Sequence, residues 1–235
     1  MPGVLIFGGT TEGRELAKRY PRSLVCVTSA YARALLPADT DCRVGAMDAA
    51  AMENLIRQMR PERVIDATHP YAARATAAIR ACCERLHVPY QRVARPVSPG
   101  AWRQYVRAVA DTAAAVDALR EAQGNILLTT GSHTAADYAA ALDVSHLWVR
   151  VLPTREALAL CADAGIPASH VIAMQGPFSE ALNAALYDQL DIRVLVTKDS
   201  GKPGGVAEKV IPALKRDMEV ILIERPKEEP CAENR

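Results

Sequence analysis

Short apolar runs alternate with longer helical patterns along most of the chain. The runs are rich in β-branched residues and have few polar positions, which is typical of strands buried on both faces of a parallel sheet. The pattern predicts ten strands, at Val4–Phe7, Leu24–Thr28, Cys42–Gly45, Val64–Ala67, Tyr90–Ala94, Ile126–Thr129, Leu147–Val151, Val171–Met174, Val194–Thr197 and Val220–Ile223.

Alanine-rich stretches with helical spacing separate these runs. They predict eight helices, at Thr11–Tyr20, Ala49–Met59, Ala72–Leu86, Asp111–Gln123, His133–Ala141, Arg155–Ala164, Ser179–Leu190 and Val206–Arg216. Alternation of strand and helix predicts an α/β protein whose mainly parallel sheets carry helices on both faces. The segment Arg95–Gly100 contains two prolines and a glycine and is interpreted as a linker. We therefore expect two Rossmann-like domains, at residues 1–98 and 99–226, followed by a flexible tail at 227–235.

Composition narrows the range of functions. The 235 residues are 50% hydrophobic and 23% charged, with a net charge of +1, so no strong field attracts nucleic acid or an anionic membrane. The N-terminal apolar segment is too short for a signal peptide, and no run could span a bilayer. The six scattered cysteines lack a C-x-x-C spacing and are interpreted as reduced. We expect a cytoplasmic monomer without a metal site.

The first strand ends in Gly8-Gly9-Thr10-Thr11 and is followed at once by a helix. Gly8 and Gly13 match the first and third glycines of the dinucleotide fingerprint G-x-G-x-x-G, while Thr10 stands in the second position. A glycine turn and the amides of a helix N-terminus suit a pyrophosphate. A plain strand-to-helix turn is the alternative interpretation.

The second strand is followed by Thr28-Ser29 and Arg33 and lacks the acidic residue that binds ribose hydroxyls in NAD sites. Hydroxyls with an arginine suit a 2′-phosphate, which favours NADPH over NADH. Arg33 could instead be an ordinary solvated helix residue.

Other strands also end in polar clusters, where open α/β sheets bind ligands. Pro70 directs His69 out of the helical region at one such edge. Thr130-Gly131-Ser132 follows a strand of the second half and could hold an anionic group. The loop Lys198–Gly205 is rich in glycine and lysine but lacks the P-loop spacing, so it is interpreted as a carboxylate-binding lid or a solvated loop.

Several stretches occur together in a specific order: GGTTEGRELA, DATHPYA, RPVSPGAW, TTGS, RVLPT, QGPFS and TKDSG with the later GG and EK. From residue 3 to residue 225 this set resembles the precorrin-6A reductase family of cobalamin biosynthesis, including its cobalt-precorrin-6A form. The resemblance implies two Rossmann-like domains with a cleft between them. It also implies reduction of one ring double bond of a carboxylate-rich tetrapyrrole by NADPH or NADH.

The resemblance assigns roles to individual positions. The cofactor-binding set is Gly8, Gly9, Thr10, Thr11, Glu12, Arg14, Ser29, Thr68, His69 and Pro70, to which the argument above adds Arg33. The substrate-binding set comprises Thr130, Gly131, Ser132, Gln175, Gly176, Lys198, Asp199, Ser200 and Gly201. Arg95, Arg150 and Lys209 join it because carboxylates need cations, although both arginines could form structural ion pairs.

Three questions stay open at the level of sequence. The proton that accompanies the hydride could come from His69, from Tyr71, from a water or from the substrate itself. A non-catalytic NAD(P)-binding sensor and a methyltransferase of the corrin pathway are the alternative functions. The sequence does not choose between a metal-free and a cobalt-containing substrate.

Overall fold

A computed structural model describes residues 3–93 and 95–226; Ala94 and the tail predicted at 227–235 lie outside the described residues. The described chain forms two compact units, an N-terminal unit that ends at Arg95 and a C-terminal unit from Pro96 to Pro226. No helix within the described residues is both long and apolar enough to cross a bilayer.

The N-terminal unit is a five-stranded parallel sheet with helices on both faces. Its order is β3-β2-β1-β4-β5. The elements are β1 Val4–Phe7, α1 Thr11–Arg19, β2 Leu24–Val27, α2 Ala30–Ala34, β3 Asp41–Val44, α3 Ala49–Met59, β4 Arg63–Asp66, α4 Ala73–Arg85 and β5 Tyr90–Arg92.

Alternate side chains of the central strand β1 enter two different cores, which explains its uninterrupted apolar sequence. Leu5 and Phe7 pack with the core formed by α3 and α4, whereas Ile6 packs with Ala17 of α1. Because both faces of β1 are covered, only its ends are open to polar chemistry.

The C-terminal unit is a six-stranded parallel sheet with the order β6-β11-β10-β7-β8-β9. Its elements are β6 Arg107–Val109, α5 Thr112–Leu119, β7 Asn125–Leu128, α6 Ala135–Ala139, β8 Leu147–Val151, α7 Arg155–Asp163, β9 Val171–Ala173, α8 Glu180–Gln189, β10 Ile192–Lys198, α9 Val206–Leu214 and β11 Glu219–Ile223.

The two sheets share one topology. Strands β7 to β11 repeat the order of β1 to β5, and β6 is added outside β11. In each unit the direction of winding reverses between the first and fourth strands of this pattern, at β1/β4 and at β7/β10. Such a switch point leaves a crevice beyond the carboxyl ends of the two strands, where α/β proteins bind ligands.

The predicted α/β class with mainly parallel sheets is confirmed, and all ten predicted strands are present, two of them (Val4–Phe7 and Leu147–Val151) with the predicted bounds and the others with shifted ends. Strand β6 was not predicted because Arg107 and Ala108 are exposed, and helix α2 because five residues are too short for a periodic signal. The prediction of a helix at His133–Ala141 is wrong at its start, where a 3₁₀ turn at Ser132–Thr134 precedes α6.

Candidate functional site

The switch point of the N-terminal unit is lined by the loops that follow β1 and β4. The Thr10 hydroxyl donates to the carbonyl of Ala67 at 2.8 Å and so joins the two loops. The Gly8 amide donates to the carbonyl of Cys26 at 3.0 Å, which continues the pairing with β2 beyond the end of β1. The predicted cofactor residues from Gly8 to Glu12 are thus brought next to Thr68.

Two glycines of this loop are required by close packing rather than by an unusual φ angle. A Cβ at Gly8 would lie 3.0 Å from the carbonyl oxygen of Ala67, and one at Gly13 would lie 2.9 Å from that of Gly8. Gly9 is exposed, and a Cβ there would meet only the Ala32 methyl, at 3.3 Å. The backbone of Gly9 is therefore accessible to a ligand.

Helix α1 begins beside this loop, with Thr10 as its N-cap accepting from the Gly13 amide at 3.2 Å. Glu12 in its first turn receives two hydrogen bonds from Arg95, at 2.8 and 2.6 Å. Arg14 donates to the Thr11 hydroxyl at 2.9 Å. The guanidinium of Arg95 thus neutralises an acid that would otherwise repel an anion at the helix N-terminus.

The electrostatics of Glu12 reflect this pairing. Burial raises the pKa of the carboxyl, but the hydrogen bonds and charge of Arg95 outweigh burial and hold the pKa below its ordinary value of 4.5. Glu12 is therefore ionised at neutral pH. Arg95, predicted to bind substrate, lies in the N-terminal unit with its side chain engaged by Glu12. A contact of Arg95 with substrate stays a prediction.

A buried network that the sequence reasoning missed supports the loop after β4. The Asp66 carboxylate, fully buried, accepts from Arg92 at 3.0 Å, from the Tyr90 hydroxyl at 2.9 Å and from the Thr68 amide at 2.9 Å. Arg92 also donates to the carbonyl of Thr68 at 3.1 Å. An aspartate at the end of a buried strand was the available signal, because such a charge requires a partner.

The segment held by this network carries His69, Pro70 and Tyr71. His69 is exposed, and its Nδ1 accepts from the Tyr71 amide at 3.3 Å, so its proton lies on Nε2 when the ring is neutral. The two rings are 5.7 Å apart. Pro70 is buried. His69 can therefore present an N–H donor at the carboxyl edge of the sheet.

The loop after β2 places Ser29 and Arg33 on helix α2. The Ser29 hydroxyl caps this helix and accepts from the Ala32 amide at 3.2 Å. Arg33 donates to the carbonyls of Pro37 and Ala38, at 3.3 and 3.1 Å. A 2′-phosphate at Arg33 would have to replace these two backbone acceptors.

In the C-terminal unit the switch point is bridged by a lysine. The Lys198 ammonium at the end of β10 donates to the carbonyl of Thr130, beyond β7, at 2.8 Å. Gly131 follows with a φ of +90°, and a 3₁₀ turn begins at Ser132. Burial lowers the pKa of Lys198, with Asp137 opposing the shift. The structure thus brings Lys198 together with Thr130, Gly131 and Ser132.

Asp199, next along the chain, has structural partners. Its buried carboxylate is paired with Arg103 and lies 3.6 Å from Arg225. These arginines also donate to backbone carbonyls, Arg103 to Ser98 at 2.8 Å and Arg225 to Pro96 at 2.9 Å. Asp199 therefore fastens the predicted linker to the C-terminal unit.

The remaining loop residues differ in position. Ser200 and buried Gly201, with a φ of +72°, continue the loop from Lys198 toward α9. Gln175 and Gly176 are exposed and follow the edge strand β9. Pro177, next along the chain, lies beside Gly205 at the end of the loop that begins at Lys198, since a Cβ at Gly205 would be 3.3 Å from the Pro177 side chain.

Arg150 and Lys209 are both about 8% exposed and lie inside the C-terminal unit. Arg150 donates to the side-chain oxygen of Asn183 at 2.7 Å, and its guanidinium lies 4.7 Å from the ring centre of Phe178. Burial lowers the pKa of Lys209 to about 7; the charge of Arg150 adds to this effect and Glu208 opposes it. Asn183 was missed because an amide on a helical pattern carries no distinctive signal, and Phe178 because a single aromatic in the loop before α8 does not reveal what it packs against.

Among the described residues, no group of three or more histidine, cysteine, aspartate or glutamate side chains is arranged to hold a metal ion.

Two parallel sheets of shared topology, each with polar loops at its switch point, define a protein of two Rossmann-like α/β units. The family model that describes precorrin-6x reductase CbiJ/CobK matches residues 3–234. The chain therefore belongs to the precorrin-6x reductase family, a family of oxidoreductases, and membership of a reductase family implies a nicotinamide cofactor.

Individual relatives agree with this assignment. The cobalt-precorrin-6A reductase of Salmonella typhimurium is 34% identical, over 95% of this chain and 87% of the relative. The precorrin-6A reductase of Mycobacterium tuberculosis is 33% identical, over 96% of this chain and 90% of the relative. A solved structure of CobK precorrin-6A reductase superposes with a TM-score of 0.79 at 27% identity, covering 98% of this chain and 91% of that one.

Proposed function

We propose that the protein reduces one ring double bond of precorrin-6A or of cobalt-precorrin-6A with NADPH or NADH. The observation that carries this proposal is the loop Gly8–Thr11 at the β1/β4 switch point of a chain that belongs to a reductase family. Its closely packed glycines and the N-terminus of α1 form a backbone surface that suits a diphosphate.

The fit of a nicotinamide dinucleotide rests on this surface. Gly9 leaves its backbone uncovered, and Thr11 supplies a hydroxyl in the first turn of α1. The Thr10 hydroxyl is already engaged, because it donates to the Ala67 carbonyl and accepts from the Gly13 amide. The Glu12–Arg95 pair removes the repulsion that an isolated acid would exert on phosphate. When bound, the nicotinamide ring supplies the hydride, and the protein binds, orients and supplies a proton.

We assign the proton to His69, which would donate it from its protonated imidazolium form, with Tyr71 as the alternative donor. The hydrogen bond from the Tyr71 amide to Nδ1 belongs to the neutral ring. The network of Asp66, Arg92 and Tyr90 holds the backbone on either side of the strand end, so it positions His69 without touching substrate.

We further propose NADPH as the preferred cofactor, because neither Thr28 nor Ser29 after β2 offers the carboxylate that selects a ribose 2′-hydroxyl. Relatives named for the cobalt-containing and for the metal-free substrate are 34% and 33% identical to this chain, so identity does not separate the two substrates.

Anaerobic incubation with each tetrapyrrole and either cofactor tests the function. We expect loss of reduced-nicotinamide absorbance and a product heavier by two hydrogens with one of the two substrates. Turnover of neither substrate would reject the proposal. Titration of wild-type protein and of Arg33→Ala with NADPH and with NADH tests the cofactor choice. A loss of affinity confined to NADPH supports Arg33 as a phosphate ligand, and equal losses of affinity for both cofactors remove it from that site.

A further inference from the structure

The C-terminal unit contains a buried cluster of polar side chains whose charge is not balanced. Arg150 of β8, Asn183 of α8 and Lys209 of α9 belong to it. The Arg150 guanidinium donates to Asn183, and Asn183 donates in turn to the carbonyl of Glu208 at 2.9 Å. One amide side chain thus connects Arg150 to the turn of α9 that carries Lys209.

Lys209 interrupts an apolar stripe that faces the sheet. Val206, Val210 and Ala213 of the same helix are fully buried and pack in one core with Leu127 and Leu195. A residue at position 209 falls on this stripe by helical spacing, and it is about 8% exposed. Lysine is almost never buried to this extent without a partner.

In the part of the chain that the structure describes, no acidic side chain pairs with either cation. Within residues 3–93 and 95–226, neither Arg150 nor Lys209 forms an ion pair, and the Lys209 ammonium makes no hydrogen bond. The cation Arg150 instead lies against the ring of Phe178. Uncompensated buried cations are costly to stability, so their presence calls for a reason other than folding.

Sheet register places a third polar group on the same face. Leu195 pairs with Leu127, and Leu127 pairs with Trp148. Because side chains alternate along strands, Thr197 and Arg150 therefore point to the face that α9 covers. The Thr197 hydroxyl is completely buried and has no hydrogen-bond partner among the described residues. A buried hydroxyl without a partner is uncommon in folded proteins, so this hydroxyl is available to a ligand that reaches the same face of the sheet.

We propose that Arg150, Lys209 and Thr197 form a subsite that binds one carboxylate side chain of the tetrapyrrole. The identity of the substrate rests on the proposed function. An anion there would neutralise the two cations and accept from the hydroxyl of Thr197. A carboxylate also matches the planar fork of a guanidinium. Phe178 covers the other side of Arg150 with an apolar ring, which suits the edge of a macrocycle.

The test compares Lys209→Met with wild-type protein, using the full-length chain. We expect the dissociation constant for the tetrapyrrole to rise about 30-fold or more. The midpoint of thermal unfolding without ligand should rise by about 2–4 °C, because methionine removes an uncompensated buried charge. The dissociation constant for NADPH should change less than about twofold.

Two further variants keep the test decisive. Thr197→Val preserves shape and should weaken tetrapyrrole binding about 3- to 10-fold without lowering the unfolding midpoint. Lys215→Met is the matched control, since Lys215 lies at the end of α9 in an exposed pair with Glu180, and it should change neither quantity.

Binding of a simple carboxylate tests the subsite without the tetrapyrrole, and so independently of the proposed function. Succinate, at ionic strength matched with sodium chloride, should raise the unfolding midpoint of wild-type protein and have no such effect on Lys209→Met. Stabilisation by succinate without tetrapyrrole binding would reject the substrate and keep the carboxylate subsite. A lower midpoint with unchanged binding in Lys209→Met would show a structural lysine, and a selective loss of NADPH affinity would show a cofactor-phosphate site; either result overturns the proposal.

Discussion

The two units use one strand order but fill their switch points with different chemistry. At β1/β4 the loops are joined by the Thr10 hydroxyl, and glycines expose the backbone beside a nine-residue helix. At β7/β10 the ammonium of Lys198 bridges the loops, and α6, with five residues, begins only after a 3₁₀ turn.

We infer from this difference that topology fixes the place of a binding site while local residues fix its ligand. A surface of amides with an internally neutralised acid suits a diphosphate, which backbone N–H groups bind well. A switch point bridged by a cationic side chain, with Arg150 of β8 and Lys209 of α9 buried in the same unit, suits carboxylates.

The units nevertheless share one structural feature, a buried aspartate at the end of the fourth strand of the common topology, which is β4 in one unit and β10 in the other. Asp66 is held by Arg92 at the end of β5, and Asp199 by Arg103 and by Arg225 after β11. In both cases an arginine near the end of the fifth strand supports the loop that follows the fourth.

Removing these aspartates should give the largest losses of stability, and the size of the loss should differ between the two units. Asp66→Ala leaves Arg92 buried without its carboxylate, and we expect the free energy of unfolding to fall by about 3–5 kcal/mol. Asp199→Ala should cost less, about 1–3 kcal/mol, because Arg103 and Arg225 are more exposed and can reach water.

Urea unfolding of both variants measures these values, with Asp66→Asn as the control that retains the shape of the side chain. Equal losses in the two units would contradict the difference in burial on which the prediction depends.

A substitution in the glycine loop should test which switch point holds the cofactor. Gly9→Val should weaken NADPH binding at least about 100-fold, or about 2.7 kcal/mol, because the side chain would occupy the diphosphate surface. The fold should survive, since Gly9 is exposed and has no positive φ.

Gly131→Ala is the counterpart in the C-terminal unit. Its Cβ would meet nothing within 4 Å, although its φ of +90° strains any other residue. We expect a small loss of stability and an NADPH affinity within about twofold of wild type. Fluorescence titration measures the NADPH affinity of both variants. A larger loss of affinity for Gly131→Ala than for Gly9→Val would indicate that the cofactor binds to the C-terminal unit instead.

The smallest effect should come from the acid at the start of α1. Arg95→Met leaves the Glu12 carboxylate uncompensated, and NADPH binding should weaken about 10-fold at pH 7, or about 1.4 kcal/mol. Glu12→Gln combined with Arg95→Met should restore much of this affinity, because the repelling charge is gone. Failure of the double variant to recover would mean that Arg95 contacts the ligand directly.

The same pair predicts a pH dependence. The pKa of Glu12 is lowered in the folded state, so the pair contributes stability above the ordinary value of 4.5, and this contribution is lost as pH falls through the lowered pKa. Arg95→Met should therefore flatten the acid limb of the stability profile. Thermal unfolding between about pH 3 and 7 measures the change, and an unaltered profile would remove Arg95 as the cause of the shift.

The strands were predictable because burial on both faces leaves a continuous apolar signal, as in Val4–Phe7. The loop Gly8–Thr11 was predictable because close backbone packing excludes side chains. Strand β6 was missed because Arg107 and Ala108 are exposed at the edge of the sheet, where no burial pattern marks them.

The partners of charged residues were beyond sequence reasoning, because they depend on pairing distant in the chain. Nothing local indicates that Arg95 pairs with Glu12 or that Arg103 pairs with Asp199. Lys209 is a partial exception: its place three residues after Val206 and one before Val210, on an apolar stripe, already marks it as unusual.

The attachment of residues 96–98 also governs how the chain can be divided in the laboratory. The carbonyls of Pro96 and Ser98 accept hydrogen bonds from Arg225 and Arg103, the two arginines that hold Asp199. A fragment that starts at residue 99 would lack both of these carbonyls, and a fragment that starts at β6 would also lack Arg103. A recombinant fragment carrying the second sheet should therefore start no later than Pro96.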